Sequence, residues 1–144
     1  MTITIGCDHA GFPYKDAIIK MLESRAIKVI DKGTYSTDSV DYPDFVHPVA
    51  ELVTAKEADL GVLICGSGNG VAITANKHQD IRCALCWNTD LAELARQHNN
   101  ANVIALPARF VSEELAVQMV EHFIDASFEG GRHQRRVSKI AYHC

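Results

Sequence analysis

Apolar residues in this chain follow two alternating patterns. Short runs rich in β-branched residues recur at Thr2–Cys7, Ile27–Ile30, Leu60–Cys65, Ile81–Cys86 and Asn102–Leu106. Within each run the apolar residues are continuous rather than strictly alternating, which predicts buried strands. Between the runs the spacing changes to three and four. Ala17, Ile18, Met21 and Leu22 share one face of a predicted helix, and Phe45, Val46, Val49, Leu52 and Val53 share one face of the next. Leu91, Leu94 and Ala95 mark a third helix before His98, and Ala116, Met119, Val120 and Phe123 mark a fourth. Pro48 falls near the start of the second helix, where proline is cheap only in the first turn, so the pattern leaves that boundary open. Strands alternating with helices imply βαβ units with right-handed crossovers, hence an α/β fold whose parallel sheet is covered on both faces.

The tail from Glu129 has a different texture. Two glycines are followed by Arg132, Arg135, Arg136 and Lys139 in a short polar helix. Such a segment cannot be core; it lies in solvent or reaches a partner.

With 144 residues, the chain supports one domain (1–144) with one core. It is 47% hydrophobic and 22% charged, as expected of a folded globular protein. The net charge of -4 argues against general affinity for nucleic acid or acidic membranes, so any phosphate site must concentrate its arginines locally. The opening residues do not read as a secretory leader, and no apolar run approaches the ~18 residues of a membrane span. The five cysteines (Cys7, Cys65, Cys83, Cys86, Cys144) are an odd number in a chain large enough to fold unstapled. They predict free thiols and a reducing, cytoplasmic setting.

In an open parallel sheet, ligands gather at the carboxyl ends of the strands. Asp8-His9-Ala10-Gly11 follows the first strand and Pro107-Ala108-Arg109 the last, which is itself preceded by Arg96-Gln97-His98-Asn99-Asn100. After the third strand, Cys65-Gly66-Ser67-Gly68-Asn69-Gly70 runs into a helix beginning near Val71. Three glycines alternating with Ser67 and Asn69 let successive N–H groups turn toward one point, which stabilises a bound anion or a developing oxyanion. Cys65 at the mouth would feel the same field, which favours a thiolate able to move a proton on a carbon next to a carbonyl. The loop is not a P-loop, because Val71 and Ala72 stand where Lys and Ser/Thr belong, nor is it a Cys-x5-Arg phosphatase loop.

Cys83 and Cys86 resemble a redox or zinc pair, but residues three apart on a strand face opposite ways, so both read as core. No histidines show the helical HExxH spacing, and no metal site is expected. His9 and His98 stand out by their polar neighbours, each open to a structural or a catalytic role, whereas His47, His78, His122 and His143 read as surface. Arg132 and Arg136, one helical turn apart, can aim at one anion, with Arg109 a third candidate.

Taken together, GCDHAGF (6–12), DKGTYS (31–36), DYPDF (41–45), LICGSGNG (63–70), ANK (75–77), RQHNNANV (96–103) and EGGRHQRRV (129–137) resemble the type B branch of the ribose/galactose phosphate isomerase family over nearly the whole chain. That resemblance implies a three-layer α/β/α sandwich on a five-stranded, Rossmann-like parallel sheet. It also implies a homodimer, or a tetramer of such dimers, in which the basic tail (129–144) reaches the partner's site. It assigns Cys65 as the base shuttling a proton between C1 and C2 through an enediolate. Some relatives use a later carboxylate instead, but positions 72–76 here contain no Asp or Glu. Ser67, often threonine in relatives, and the amides of Gly66, Gly68, Asn69 and Gly70 become the oxyanion cradle. His98 becomes the acid that opens the furanose, helped by Asp8. His9, Arg109, Arg132 and Arg136 become phosphate ligands, and Tyr42 and Asn99 contacts to the sugar hydroxyls.

The expected activity is therefore interconversion of ribose 5-phosphate and ribulose 5-phosphate, needing no metal or organic cofactor. A six-carbon substrate such as allose or galactose 6-phosphate, or a non-catalytic sugar-phosphate sensor, are the alternatives.

Overall fold

A computed structural model describes residues 1–142. The expectations for His143 and Cys144 lie outside the described residues. The elements in order are β1 (Thr2–Cys7), α1 (Phe12–Ser24), β2 (Lys28–Asp31), α2 (Pro43–Thr54), β3 (Leu60–Cys65), α3 (Asn69–Ala75), β4 (Cys83–Leu85), α4 (Thr89–Asn99), β5 (Val103–Pro107), α5 (Glu113–Asp125) and α6 (Arg132–Val137). All four strand pairings are parallel, in the order β2-β1-β3-β5-β4.

Alternation along β3 divides the core. Val62 and Ile64 pack with Ile3, Ile5, Ile104 and Leu106 against α1, α4 and α5, where Leu22, Met119 and Phe123 are buried. Leu63 and Cys65 point the other way, with Val103 and Ala105, onto Val46, Val49 and Val53 of α2 and Val71 and Ala75 of α3. Helices on both faces explain why the central strands read as unbroken apolar runs. The edge strands are different: β2 and β4 are only half-buried. β4 is accordingly shorter than the expected 81–86; β2 and the fully buried β5 each lie one residue later than expected.

Pro48 lies inside α2 rather than at its start. Its missing N–H would have met the carbonyl of Asp44, an exposed first-turn residue whose oxygen water can solvate, so the helix continues. Asn88 and Ser112 start α4 and α5 by accepting the N–H groups of Leu91 and Leu115.

The chain leaves β1 for β2 on one side and returns to β3 on the other. The order reverses between β1 and β3, and the crevice at their carboxyl ends is where this architecture places ligands.

Candidate active site

Two of the site residues follow directly from that crevice: Asp8 comes just after β1, and Cys65 ends β3. A cavity of about 400 Å³ opens there, lined by Asp8, Tyr42, Cys65, Gly66, Ser67, Gly70, Arg109 and Phe110. Gly68 adopts a left-handed conformation (φ +74°), and the turn it makes brings its N–H onto Cys65 Sγ at 3.1 Å. A Cβ at Gly68 would lie 2.3 Å from Leu85 Cδ1, so the turn also lacks room for a side chain.

The amide of Asn69 donates to Ser67 Oγ at 3.2 Å. The amide of Gly70, in the first turn of α3 and at the cavity wall, has no intrahelical acceptor and remains for a ligand. The other glycines make space for side chains. A Cβ on Gly70 would sit 2.6 Å from Tyr42 Cζ, and one on Gly66 would sit 3.2 Å from Arg109 Cδ. Tyr42 and Arg109 can therefore lie directly over the loop.

On the β1 side, Asp8 Oδ1 accepts the N–H groups of Ala10 and Gly11 at 2.9 and 3.0 Å. One oxygen of this buried carboxylate thus shapes the turn into α1, and the other is left for chemistry. Val40 N–H donates to His9 Nδ1 at 3.2 Å, so a neutral His9 carries its proton on Nε2, the nitrogen available to donate to an anion. The segment carrying Val40 and Tyr42 is anchored by Lys15. Its buried ammonium donates to Thr34 O and Asp31 Oδ1 and lies 4.5 Å from the Tyr35 ring centroid.

The other cysteines are packed as expected. Cys86 is buried in the α1/α4/α5 cluster while Cys83 packs against the α2/α3 cluster, so the two do face opposite ways. Burial raises the pKa of Cys83 and pushes that of Cys86 up to about 12.

The remaining candidates are elsewhere. The reading of residues 96–100 as part of a strand-end cluster placed them with Cys65, but α4 runs back along the sheet and ends at Asn99, at the edge where β5 begins. Cys65 is level with Pro107, at the opposite end of β5. The length of β5 alone, about 13 Å, separates the two levels. Asn99 lines a different cavity with Arg82, Ile140 and Tyr142. Arg132 and Arg136 are exposed on α6, beside His98 rather than Cys65. A single chain therefore assembles Asp8, Tyr42, Cys65, Ser67 and Arg109 around one cavity, with His9 next to Asp8 and against Val40, and it holds His98, Asn99, Arg132 and Arg136 apart from them.

Around His98 stand two residues that sequence reasoning did not single out. The His133 ring stacks on His98 with centroids 4.2 Å apart and planes 14° from parallel. Glu129 Oε2 lies 3.8 Å from His98 Nε2 and 3.5 Å from His133 Nε2. Desolvation lowers the His133 pKa, assisted by His98 and Arg132. The available signal was a histidine two residues past a Gly-Gly turn, in a tail otherwise made of charges. Among the described residues these three groups come within 4.8 Å of one another, close enough to consider a metal. Near-parallel rings do not aim their lone pairs at one point, however, and two arginines stand alongside, so the arrangement fits a dication poorly. A larger cavity of about 660 Å³ lies between α4 and α5, but Glu93, Glu121, Asp125 and Glu129 line it and would repel a phosphate.

The family model described as Ribose/Galactose Isomerase matches residues 3–140. Ribose-5-phosphate isomerase B of Escherichia coli K12 is 47% identical over 138 residues, covering 96% of this chain and 93% of that protein. The crystal structure of a ribose 5-phosphate isomerase from Thermotoga maritima superposes with a TM-score of 0.95 at 47% identity, covering 97% of each chain. Ribose-5-phosphate isomerase B from Mycoplasma genitalium, solved with bound ribulose-5-phosphate, gives a TM-score of 0.92 at 45% identity, covering 96% of this chain and 93% of that one.

Proposed function

We propose that this chain, which belongs to the ribose/galactose isomerase family, interconverts ribose 5-phosphate and ribulose 5-phosphate through an enediolate. The observation that carries the mechanism is the Cys65 sulfur: it faces a cavity lined by Asp8, Tyr42, Ser67 and Arg109, and the glycine loop donates an N–H to it. The ribulose-5-phosphate bound by the Mycoplasma relative supports the pentose.

Arg109, Arg132, Arg136 and the Nε2–H of His9 hold the phosphate, turning remote binding into orientation of the sugar. His98 protonates the ring oxygen as the C1–O4 bond breaks, and Asp8 takes the proton from O1, which leaves the open aldehyde. Cys65, as thiolate, removes the proton from C2. The electrons move into an enediolate, whose oxygen is held by Ser67 and the free Gly70 amide at the start of α3. Returning the proton to C1, with loss of the O2 proton and gain of one at O1, yields the ketose. Tyr42 and Asn99 contact the sugar hydroxyls. These roles need neither a metal nor an organic cofactor.

Because His98 and Cys65 lie at opposite edges of the sheet, the site is shared between two subunits. Leu91 and Leu94 are exposed along one line of α4 that continues to His98, and Trp87, exposed just before the helix, packs on Phe110 at the mouth of the cysteine cavity. From Thr89, two residues after Trp87, to His98 is about 14 Å along α4. Two such faces related by a two-fold axis, with their helices antiparallel, bring each His98 to the other chain's Cys65. The 129–144 segment then serves the partner's site. The free thiols fit a cytoplasmic protein, and among the described residues no helix is long and apolar enough to cross a membrane.

Two experiments test this. With EDTA present, the protein should form ketose from ribose 5-phosphate faster than from allose 6-phosphate; the reverse order would move the reading to a six-carbon sugar. Mixing inactive Cys65→Ser and His98→Asn subunits should restore about a quarter of wild-type turnover, since half the dimers then carry one intact site. If each chain made its own site, nothing would be restored.

A further inference from the structure

The segment joining α5 to α6 contains a carboxylate whose placement the isomerase mechanism above leaves unused. Glu129 is fixed at both ends. Its N–H donates to Gln97 O at 3.0 Å, which ties it to the last turn of α4 beside His98. Gly130 (φ +64°) and Gly131 (φ +52°, ψ −128°) then reverse the chain, and His133 N–H closes the turn onto Gly130 O at 3.0 Å. The backbone of Gly131 is one that only glycine adopts readily. The result of this folding is that His133 lies flat on His98, with Glu129 Oε2 between the two Nε2 atoms.

We propose that Glu129 is the positioning residue for ring opening: its carboxylate holds His98 by Nε2, His133 backs the ring, and Nδ1 of His98 is left to face the sugar. This inference rests on the reading of His98 as the ring-opening acid. A carboxylate on one imidazole nitrogen sets the tautomer and steadies the imidazolium, so the opposite nitrogen can give and recover a proton.

The charges around the pair are consistent with this division. Arg132 and Arg136 of α6 face it, and with desolvation and His98 they disfavour a proton on His133. On α4, Arg96 turns away over Phe123, and Glu93 is held by Gln97 and by His122 of α5. Glu129 is then the carboxylate left to balance His98.

Ribulose 5-phosphate cannot close a furanose, because its O5 carries the phosphate. Exchange of its C1 proton with solvent deuterium therefore reports enediolate formation without ring opening. Glu129→Gln should lower turnover of ribose 5-phosphate at least about tenfold, with KM within about twofold and C1 exchange within about twofold. His133→Ala should lower the same turnover, and His133→Phe, which keeps the stacking surface, should recover most of it.

Unchanged ribose 5-phosphate turnover in Glu129→Gln would overturn the assignment. So would an equal loss of C1 exchange, which would mean that the tail had merely come undone. His98→Asn separates the two readings. If it spares ribose 5-phosphate turnover, the ring-opening role of His98 fails and the role of Glu129 fails with it. If it is disabling while Glu129→Gln is silent, only the Glu129 assignment fails.

Discussion

Two cysteines end neighbouring parallel strands, Cys7 on β1 and Cys65 on β3, with Cys7 in register with Ile64. Exposure does not distinguish them, at 1% and 4%. The one-residue offset in register sends them to opposite faces, Cys7 toward α1 and α5 and Cys65 toward α2 and α3. The group that meets each sulfur differs as well. Cys7 Sγ faces the carbonyl of Thr34 at 3.9 Å, and burial pushes its pKa up to about 11 despite the ammonium of Lys15 nearby. Cys65 Sγ receives the N–H of Gly68 at 3.1 Å and opens on a cavity. Sulfur chemistry in this fold is therefore set by the loop that follows the strand. After Cys7 the chain wraps its next amides around Asp8; after Cys65 it turns one of them back onto the thiol.

The sharpest test of that contrast substitutes both thiols. Cys65→Ala should lose about 10²–10⁴ in turnover, the range for removing a proton-transfer group, with Tm moved by no more than about 3 °C. Cys7→Ala should do the opposite, keeping turnover within about twofold while losing about 1–2 kcal/mol of stability from a buried site. Paired kinetics and thermal melts decide it, and a Cys65→Ala protein with most of its turnover would end the assignment. A smaller effect is expected from changing the loop and leaving the sulfur. Gly68→Ala must move a left-handed backbone and clear Leu85, so the N–H on Cys65 shifts. Turnover should fall about tenfold and stability by about 1–2 kcal/mol. Unchanged turnover would show that this N–H contributes nothing to the reaction.

The same contrast explains what could be read from the chain and what could not. β1 and β3 come out of the apolar pattern with the expected boundaries because central strands are covered on both faces. β4 shortens because a half-buried edge strand carries a weaker pattern, whereas β2 and the buried β5 are each displaced by one residue from the expected span. Asp8, Cys65 and Arg109 were legible as a group because each follows a strand, and a parallel sheet sends all its carboxyl ends the same way. His98 was legible as a candidate but not in its place. A helix that leads into a parallel strand ends at that strand's amino end, so grouping residues 96–100 with the carboxyl-end loops misplaced them; residue spacing does not say that β5 lies inside β4. Glu129 and His133 gain meaning only once Gly130 and Gly131 fold the tail back over α4, a contact between segments some thirty residues apart.

The smallest expected effect concerns Cys7, and its sign follows from linkage. The thiol's ordinary pKa of 9.0 is raised to about 11 in the folded chain, chiefly by burial. An acid with a raised folded pKa is the same in both states at low pH, so its stabilising share is fully present below about pH 9. As pH rises past 9, the unfolded chain loses the proton first and is favoured by that ionisation. The folded state therefore loses stability progressively up to about pH 11, by about 0.8 kcal/mol at pH 9.5 for this thiol alone. For a chain of this size that is about 2–4 °C of Tm. Lysines and tyrosines titrate in the same range, so the informative quantity is the difference between wild type and Cys7→Ala. The gap between their melting curves at pH 7.5 should narrow by that amount at pH 9.5. A gap that stays constant would mean that Cys7 ionises as readily folded as unfolded, and that its carbonyl-facing, desolvated setting does not hold the proton on its sulfur.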